Sequence, residues 1–449
     1  MARFELRLQR MLRKFGRIVV EWKLNRLEPK DRADMPPRLR WEGCDYSPKR
    51  LSPMRNTHCL FGPICVHRWL YQSLEGLKLA SLFPLEHCLG IVAGVATPAL
   101  AQFAARLSVD YTQQQVLHVL REQCHVCWGV QTLRKVTRAV AEGIAPCQHA
   151  ARVELVLAWL KQAAASAGRG RCTLAVGRDG LMLPIRGKSI YKEAAAATVS
   201  VLDRWGKRLG TIYLGAMPEP GQGTMDSELT LLLREVFERW TGAMPRLAYI
   251  TDAGSHPRRY FETVLSCMSD PRRPGRYLRW EWIVDYYHAC QYVSKLGEAI
   301  FGPGRDAHAW AAKMRRWLKE KPGGIYRVLR SAGALRSLRD LVGDAKDYDD
   351  GYNYLRKHSR WMDYAGRRRL RMPIGSGVTE AACKTVFTQR FKCSGMKWGI
   401  ESGAVILALR VAVLGKTWER VVHGMLASSP IPTPPTPGRN TPISLAIAA

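Results

Sequence analysis

The amino-acid sequence predicts an α/β protein: a core sheet preceded by a helical region and interrupted by a second, all-helical one. Three observations carry this expectation. At residue 172 the hydrophobic period changes from that of helices to that of strands. From there to residue 285 the runs follow the order strand, strand, strand, helix, strand, helix, strand. From 289 to about 370 the pattern is helical again, with many Trp, Arg and Tyr.

Composition narrows the partner before any motif is read. The 449 residues suffice for two to four domains. Lys and Arg number 69 against 38 Asp and Glu, a formal charge of +31 with a pI near 10.0. Such a field favours a polyanion, and nucleic acid is the first candidate. A ribosome-like structural protein would rarely hold 14 Trp and 16 Tyr. No run reaches the ~18 apolar residues of a membrane span. AVILALRVAVL (404–414) comes closest, and Arg410 interrupts it. MARFELRLQRMLRKFGRIVVEW scatters charges through its apolar positions, unlike a secretory signal. The 12 Cys include one Cys-x-x-Cys, Cys124 and Cys127, without a second pair at metal-ligand spacing. These read as free thiols of a reduced, cytoplasmic protein rather than a zinc site.

Taken in order, residues 1–60 form a basic N-terminal arm and loop. Residues 1–27 suggest an amphipathic helix with Phe4, Leu8, Leu12 and Phe15 on one face, either packed on its own domain or gripping DNA. Residues 28–60, rich in Pro, Arg and Asp, read as loop. Residues 61–168 read as helical. TQQQVLHVLREQ has Thr112 as N-cap and Val116, Leu117 and Leu120 inside. After a break at Trp128 and Gly129, VQTLRKVTRAV turns Leu133, Val136 and Val140 inward and Gln131, Arg134, Lys135 and Arg138 outward. Two short helices, a tight turn and a basic second face fit a helix-turn-helix, although an ordinary helical hairpin fits nearly as well.

Residues 169–288 supply the first part of the core. CTLAVG is a strand ending at Asp179, followed by the strands AAAATVSVLD and RLGTIYLGAM. DSELTLLLREVFERW is a helix with Leu229, Leu232, Leu233, Val236, Phe237 and Trp240 at helical spacing. RLAYIT is a strand ending at Asp252, HPRRYFETVLS a helix, and RWEWIVD a strand ending at Asp285. This connectivity is that of an RNase H-like core. Residues 289–370 then form an all-helical insertion. Residues 371–427 return to the core as C-terminal helices, with Ser376 capping one that runs to about 393. SSPIPTPPTPGRNTP places a Pro-rich, extended tail in 428–449.

Three acids fall where such a sheet would present them on one edge: Asp179, Asp252 and Glu380. Glu380 is the sole acid between Asp363 and Glu401, among Arg367, Arg368, Arg369, Arg371, Lys384, Arg390, Lys392 and Lys397. Each has an ordinary explanation taken singly. Asp179-Gly is a common turn, Asp252 can cap a helix, and Glu380 can favour a helix start and pair with Lys384. Jointly, with this strand order, they point to a metal site. Converged carboxylates repel one another, and Mg²⁺, or Mn²⁺ in its place, neutralises the repulsion through oxygen ligands. Two such ions about 3.5–4 Å apart can activate an attacking oxygen and stabilise a leaving one in phosphoryl transfer. Lys384, one turn beyond Glu380, could touch a phosphate. Asp285 and His288, at i and i+3, are candidate auxiliaries; a helix cap and a core histidine are their plainer readings.

Read together, these residues resemble the DDE-type transposases of bacterial insertion sequences, most closely the ISKra-like group, over roughly residues 60–415. PIGSGVTEAACKTVFTQRFKCSGMKW is similar to the signature around that family's catalytic Glu. AVGRDGLMLP and ITDAG resemble its two Asp motifs, and WIVDYYHACQYV its Asp-x-x-His motif. GPICVHRWLY and LFPLE match its N-terminal region. The resemblance implies an RNase H fold with a helical insertion and Mg²⁺-dependent strand cleavage and transfer at the element's ends. It makes Asp179, Asp252 and Glu380 the triad, with Asp285 and His288 as auxiliaries. It further implies double-stranded DNA, as element ends and target, for partner; a homo-oligomer on that DNA; and a nucleoid-associated location. Arg134, Lys135, Arg138, Lys384, Arg390, Lys392 and Lys397 are the expected DNA contacts. One departure stands out: YQSLEGLKLASLFPLE lacks the Cys-x-x-Cys that family members often carry there, which argues against a zinc knuckle. Two rivals remain open at this point. One is a transposase-derived DNA-binding protein that no longer cuts. The other is a zinc hydrolase built on Asp252, His256, Asp285 and His288.

Overall fold

The structure, a computed structural model, describes residues 1–75, 80–187, 190–338 and 340–427. The expected Pro-rich tail, 428–449, lies outside the described residues. The chain is mixed α/β and divides into two compact units, one of residues 1–147 with 419–449 and one of residues 148–418.

The first unit opens with α1 (Ala2–Asn25). Residues expected to be loop then form strands. β1 (Leu39–Trp41), β2 (Cys44–Cys59) and β3 (Gly62–Ser73) make an antiparallel sheet in that order. Pro48 and Pro53 disguise β2 in the sequence. They are tolerated because β1 pairs only with Cys44–Tyr46, so at Pro48 and Pro53 that side of β2 is an edge needing no ladder donors; it is met again at His58, by residues 95–97. A register shift between Pro48 and Arg50 absorbs the mismatch with β3. The expected all-helical stretch from 61 therefore begins with a strand.

α2 (Pro84–Cys88), α3 (Pro98–Ser108) and α4 (Gln113–Cys124) follow. Thr112 and Gln115 form a reciprocal capping box at the start of α4. His125, at φ 53°, ends the helix in the left-handed conformation. α5 (Val130–Ala165) buries Leu133, Val136 and Val140 and exposes Gln131, Arg134, Lys135 and Arg138, as the periodicity predicts. It is not short, however: it runs 36 residues and carries Pro146 inside. The division between units falls within α5, at 147/148 rather than at 168, because Val153, Val156 and Leu160 already belong to the second unit's core.

In the second unit β4 (Thr173–Ile185), β5 (Ile190–Leu202) and β6 (Arg208–Ala216) form an antiparallel meander. α6 (Gly223–Arg239) leads to β7 (Arg246–Thr251); α7 (Ser255–Tyr260), continued by a π-helical turn over Phe261–Leu265, leads to β8 (Trp280–Val284). The sheet order is β6-β5-β4-β7-β8, with β4, β7 and β8 parallel. One face packs on α5 and α6 through Leu174, Val176, Val199, Leu233 and Phe237. Against the other face lie Ala175, Ala248, Ile250 and Ile283 with a helical block. This block is α8 (Tyr286–Phe301), α9 (Arg305–Glu320), α10 (Gly324–Leu338), α11 (Ala345–His358) and α12 (Tyr364–Arg369). Among the described residues of 289–370 there is no strand.

The chain closes with α13 (Gly377–Ala382), a π-helical turn (Cys383–Thr388), α14 (Gln389–Phe391), α15 (Ile400–Leu414) and α16 (Trp418–Ala427). Val386, Phe387, Phe391 and Leu407 pack on Leu183, Ala194 and Ala196 of the sheet. Arg410 is buried within α15, and its Nε donates to the carbonyls of Thr385 and Val386, at 2.9 and 2.8 Å. A π-helical turn leaves carbonyls without regular partners, and this arginine satisfies two of them. Among the described residues no helix is long and apolar enough to cross a membrane.

Candidate active site

β4, β7 and β8 lie side by side and parallel, so their carboxyl ends share one edge. Asp252 is the first residue after β7 and Asp285 the first after β8. Asp179 is not at a strand end as expected: β4 runs six residues further, to Ile185. What ends near Asp179 is the pairing with β7, which stops at Gly177 and Ile250. Beyond it β4 pairs with β5, Asp179 opposite Ala196, and at its end bridges Trp398 through Ile185. Strand alternation puts Asp179 on the face of Ala175 and Gly177, where α13 packs.

Gly177 makes that packing possible. A Cβ there would lie 1.9 Å from Thr379 Oγ1, so any side chain would push α13 off the sheet. In its absence Thr379 and Thr198 hydroxyls bond at 2.8 Å, and Glu380 follows beside the acids. Cys383, one turn on, donates its thiol to Asp179 Oδ2 at 3.4 Å, while the Gly180 N–H donates to Oδ1 at 2.8 Å.

The helical block pins the other two acids by their backbones. Tyr354 on α11 donates its hydroxyl to the Asp252 carbonyl at 2.8 Å, and Tyr364 on α12 donates to the Val284 carbonyl at 2.9 Å. Asp285 is fully buried, and its carboxylate is committed. Oδ1 caps α8 by accepting from the N–H of Tyr287 (2.6 Å) and of His288 (3.4 Å); Oδ2 accepts the Ser376 N–H (3.0 Å) and meets its hydroxyl. Asp285 thus ties the start of α8 to the segment before α13. His288 stands edge-on to Tyr292 and Tyr354 within an aromatic cluster.

Ser376 corrects the expectation of a capping serine. It precedes α13 without a side-chain cap bond, and its hydroxyl lies between Asp285 and Glu380 Oε1, 3.1 Å from the latter. The hydroxyl has one proton and can donate to one carboxylate at a time. Ser376 as a bridge and Cys383 as a donor were both missed by sequence reasoning. Their positions in the Glu380 helix, at i−4 and i+3, were the available signal.

Charge is concentrated here. Burial raises the Asp179 carboxyl above its usual range, and the charges of Asp252 and Glu193 add to this. Burial, then Asp285, raises Glu380; Asp179 contributes as well. The Cys383 thiol is pushed up by burial and by Asp179, and feels Glu380 and Asp252 too. None of the four carboxylates is ion-paired among the described residues. Cations nearby in sequence are engaged elsewhere: Arg367 pairs with Glu281, and Arg371 stacks 3.9 Å over the Trp205 ring. Lys384, Lys392 and Lys397 are exposed, as surface contacts must be. Arg390 is not; it is 3% exposed, its guanidinium over the Trp398 ring and 3.5 Å from Met396 Sδ, so it belongs to the core instead.

An oxygen-only donor set with uncompensated negative charge matches a hard divalent cation, Mg²⁺ or Mn²⁺. Among the described residues neither the three acids nor Asp252, His256, Asp285 and His288 are drawn to metal-ligand spacing. Cys124 is buried and Cys127 exposed, both as free thiols. What the fold and edge define is a mixed α/β protein with Asp252 and Asp285 directly after two parallel strands and Asp179 on the third, just past the end of its parallel pairing. No protein-family profile matches the chain, and no curated protein sequence does.

Proposed function

We propose that the second unit is a metal-dependent phosphoryl-transfer domain of RNase H-like type acting on DNA. More particularly, we read the chain as a DDE transposase of the ISKra-like group, cutting and joining the ends of its own insertion sequence. The observation that carries this reading is one of placement. Asp179 lies on β4 just past the end of its pairing with β7, Asp252 is the first residue after β7, and α13, which holds Glu380, packs on β4. Among the described residues the three are not drawn to metal-ligand spacing. Asp252's charge reaches Asp179, that of Asp179 reaches Glu380, and Cys383 feels all three. The strand order and the mixture of antiparallel and parallel pairs support the RNase H-like assignment. The net charge of +31 supports a DNA partner.

Asp179, Asp252 and Glu380 would hold the cation, which when bound activates the attacking oxygen and steadies the leaving one. The remaining groups position these three. Cys383 and the Gly180 N–H hold one Asp179 oxygen each, fixing its rotamer. The Ser376 hydroxyl donates to Glu380 Oε1 while its N–H donates to Asp285 Oδ2, which ties Glu380 to α8. Asp285 is therefore a positioning residue rather than a ligand. Lys384, Lys392 and Lys397 supply exposed cations for the phosphate backbone, and Arg134, Lys135 and Arg138 on α5 supply a second basic face.

Glu380→Gln keeps the side chain's shape and removes its charge. Cleavage of end-bearing DNA should fall by several orders of magnitude, as for a group that fails as a unit, while binding to the same DNA persists. Cleavage at a near wild-type rate would sink the mechanism.

A further inference from the structure

The strongest unclaimed surface is on α1. A helix of 24 residues spans about 36 Å, and none of these residues is buried. Phe4, Leu8, Met11, Phe15, Ile18 and Trp22 are exposed by 64, 42, 61, 67, 52 and 57%. Their spacing alternates four and three without a break, which is the heptad seam of a coiled coil. A different flank docks α1 on its own unit. Gly16 lies against Phe61, where a Cβ would sit 2.8 Å from the ring. Val20 and Leu24 join the cluster of Cys59, Ile64 and Val66. Arg13 donates to the Glu122 carbonyl at 2.9 Å, and the Asn25 amide to that of Cys65 at 2.9 Å. The seam therefore points away from the surface that α1 already covers, and six large apolar side chains in one line are unusual on a monomer.

We propose that α1 is an association helix, pairing antiparallel with α1 of a second copy of this chain. The proposal does not rest on the catalytic reading. In that arrangement Phe4 meets Trp22, Leu8 meets Ile18, and Met11 meets Phe15, each twice across the dyad. Arg7, Lys14 and Glu21 share one flank of the seam, so Arg7 of each copy comes beside Glu21 of the other, whose Oε2 accepts the Cys65 N–H of its own unit at 3.0 Å, and the two Lys14 meet at the dyad. Parallel pairing offers no such match and sets the Arg-rich first halves side by side. The flanks also distinguish a helix partner from a lipid surface. A helix lying on anionic lipid is expected to carry cations on both sides of its apolar face. Here Arg7 and Lys14 line one side, while Glu5, Leu12 and Val19 line the other.

The test uses the full chain, nuclease-treated and at high salt so that nucleic acid cannot bridge copies. Sedimentation across micromolar concentrations should give a mass near twice 50.6 kDa. The Met11→Glu/Phe15→Glu double variant should run near 50.6 kDa, with circular dichroism and melting temperature unchanged because both side chains are exposed. At low salt, on the same nuclease-treated chain, Arg7→Glu, which would face Glu21 of the second copy, should weaken association a few-fold. A monomeric wild type, or a double variant that stays dimeric, overturns the proposal. So does a monomeric wild type that binds phosphatidylserine vesicles through the seam, and an Arg7→Glu variant as tight as wild type overturns the antiparallel pairing.

Discussion

Asp179 sits where burial and neighbouring acids oppose its ionisation, so the folded state holds its proton above the usual value of 3.8. Between that value and the raised one, the folded chain binds more protons than the unfolded chain. The contribution to stability is fully present below the usual pKa and is lost as pH rises through the raised one. Asp179→Asn removes the ionisable group and keeps an acceptor for the Gly180 N–H. Its melting temperature should exceed that of wild type at neutral pH, and the two should converge as pH falls toward the usual carboxylate range. Mg²⁺ should raise the melting temperature of wild type and not of the variant. A variant less stable than wild type at neutral pH without added cation would contradict this picture. Arg390 teaches the opposite lesson about charge. In the sequence it is one cation among many, and only burial against Trp398 and Met396 removes it from the surface.

At the scale of elements, the Glu380 helix reaches the acids because one position on β4 has no side chain. Gly177→Ala would bring a Cβ within 1.9 Å of Thr379 Oγ1 and 3.2 Å of Thr198 Oγ1. Overpacking of this kind costs about 1–3 kcal/mol. Denaturant titration should register that loss, and cleavage should fall by more than the stability change explains, because Glu380 moves with its helix. Equal activity in Gly177→Ala would mean that the approach of α13 to β4 is not needed for the reaction. The π-helical turn after α13 belongs to the same design: Arg410 is drawn into the core by the carbonyls that the turn frees.

For the molecule as a whole, the proposed partner is a polyanion, and the two basic faces lie on different units. Arg134 and Lys135 are exposed on α5, and Arg134 donates to Gln113 Oε1 of α4 at 3.2 Å. Replacing both with Ala should weaken binding to end DNA, leave the melting temperature within a degree or so, and reduce the salt dependence of binding. Each phosphate that no longer meets a cation lowers the slope of log affinity against log salt by about 0.9. Unchanged affinity at physiological salt would reject α5 as a DNA-contacting helix. Wild-type binding itself should fall steeply with salt.

Periodicity and composition alone determined the strands β4 to β8 and their order, the inward faces of α4, α5 and α6, the helical character of 289–370, and the acids as candidates. These features are local: a period of two or of 3.6 residues is written in adjacent positions and survives without neighbours. Where the sequence misled, a partner decided. Pro48 and Pro53 suggested loop, but β2 is a strand because β3 pairs along it, while β1 covers only its first three residues and leaves the prolines an edge. Asp179-Gly suggested a strand end, whereas the strand continues and only its parallel neighbour stops. The site's second layer was beyond reach for the same reason. Asp285 caps α8 and holds Ser376, which stands 91 positions away in the chain, and Cys383 reaches back 204 positions to Asp179. Such contacts depend on how a strand edge, a helical block and a late helix pack, and no window of sequence contains all three.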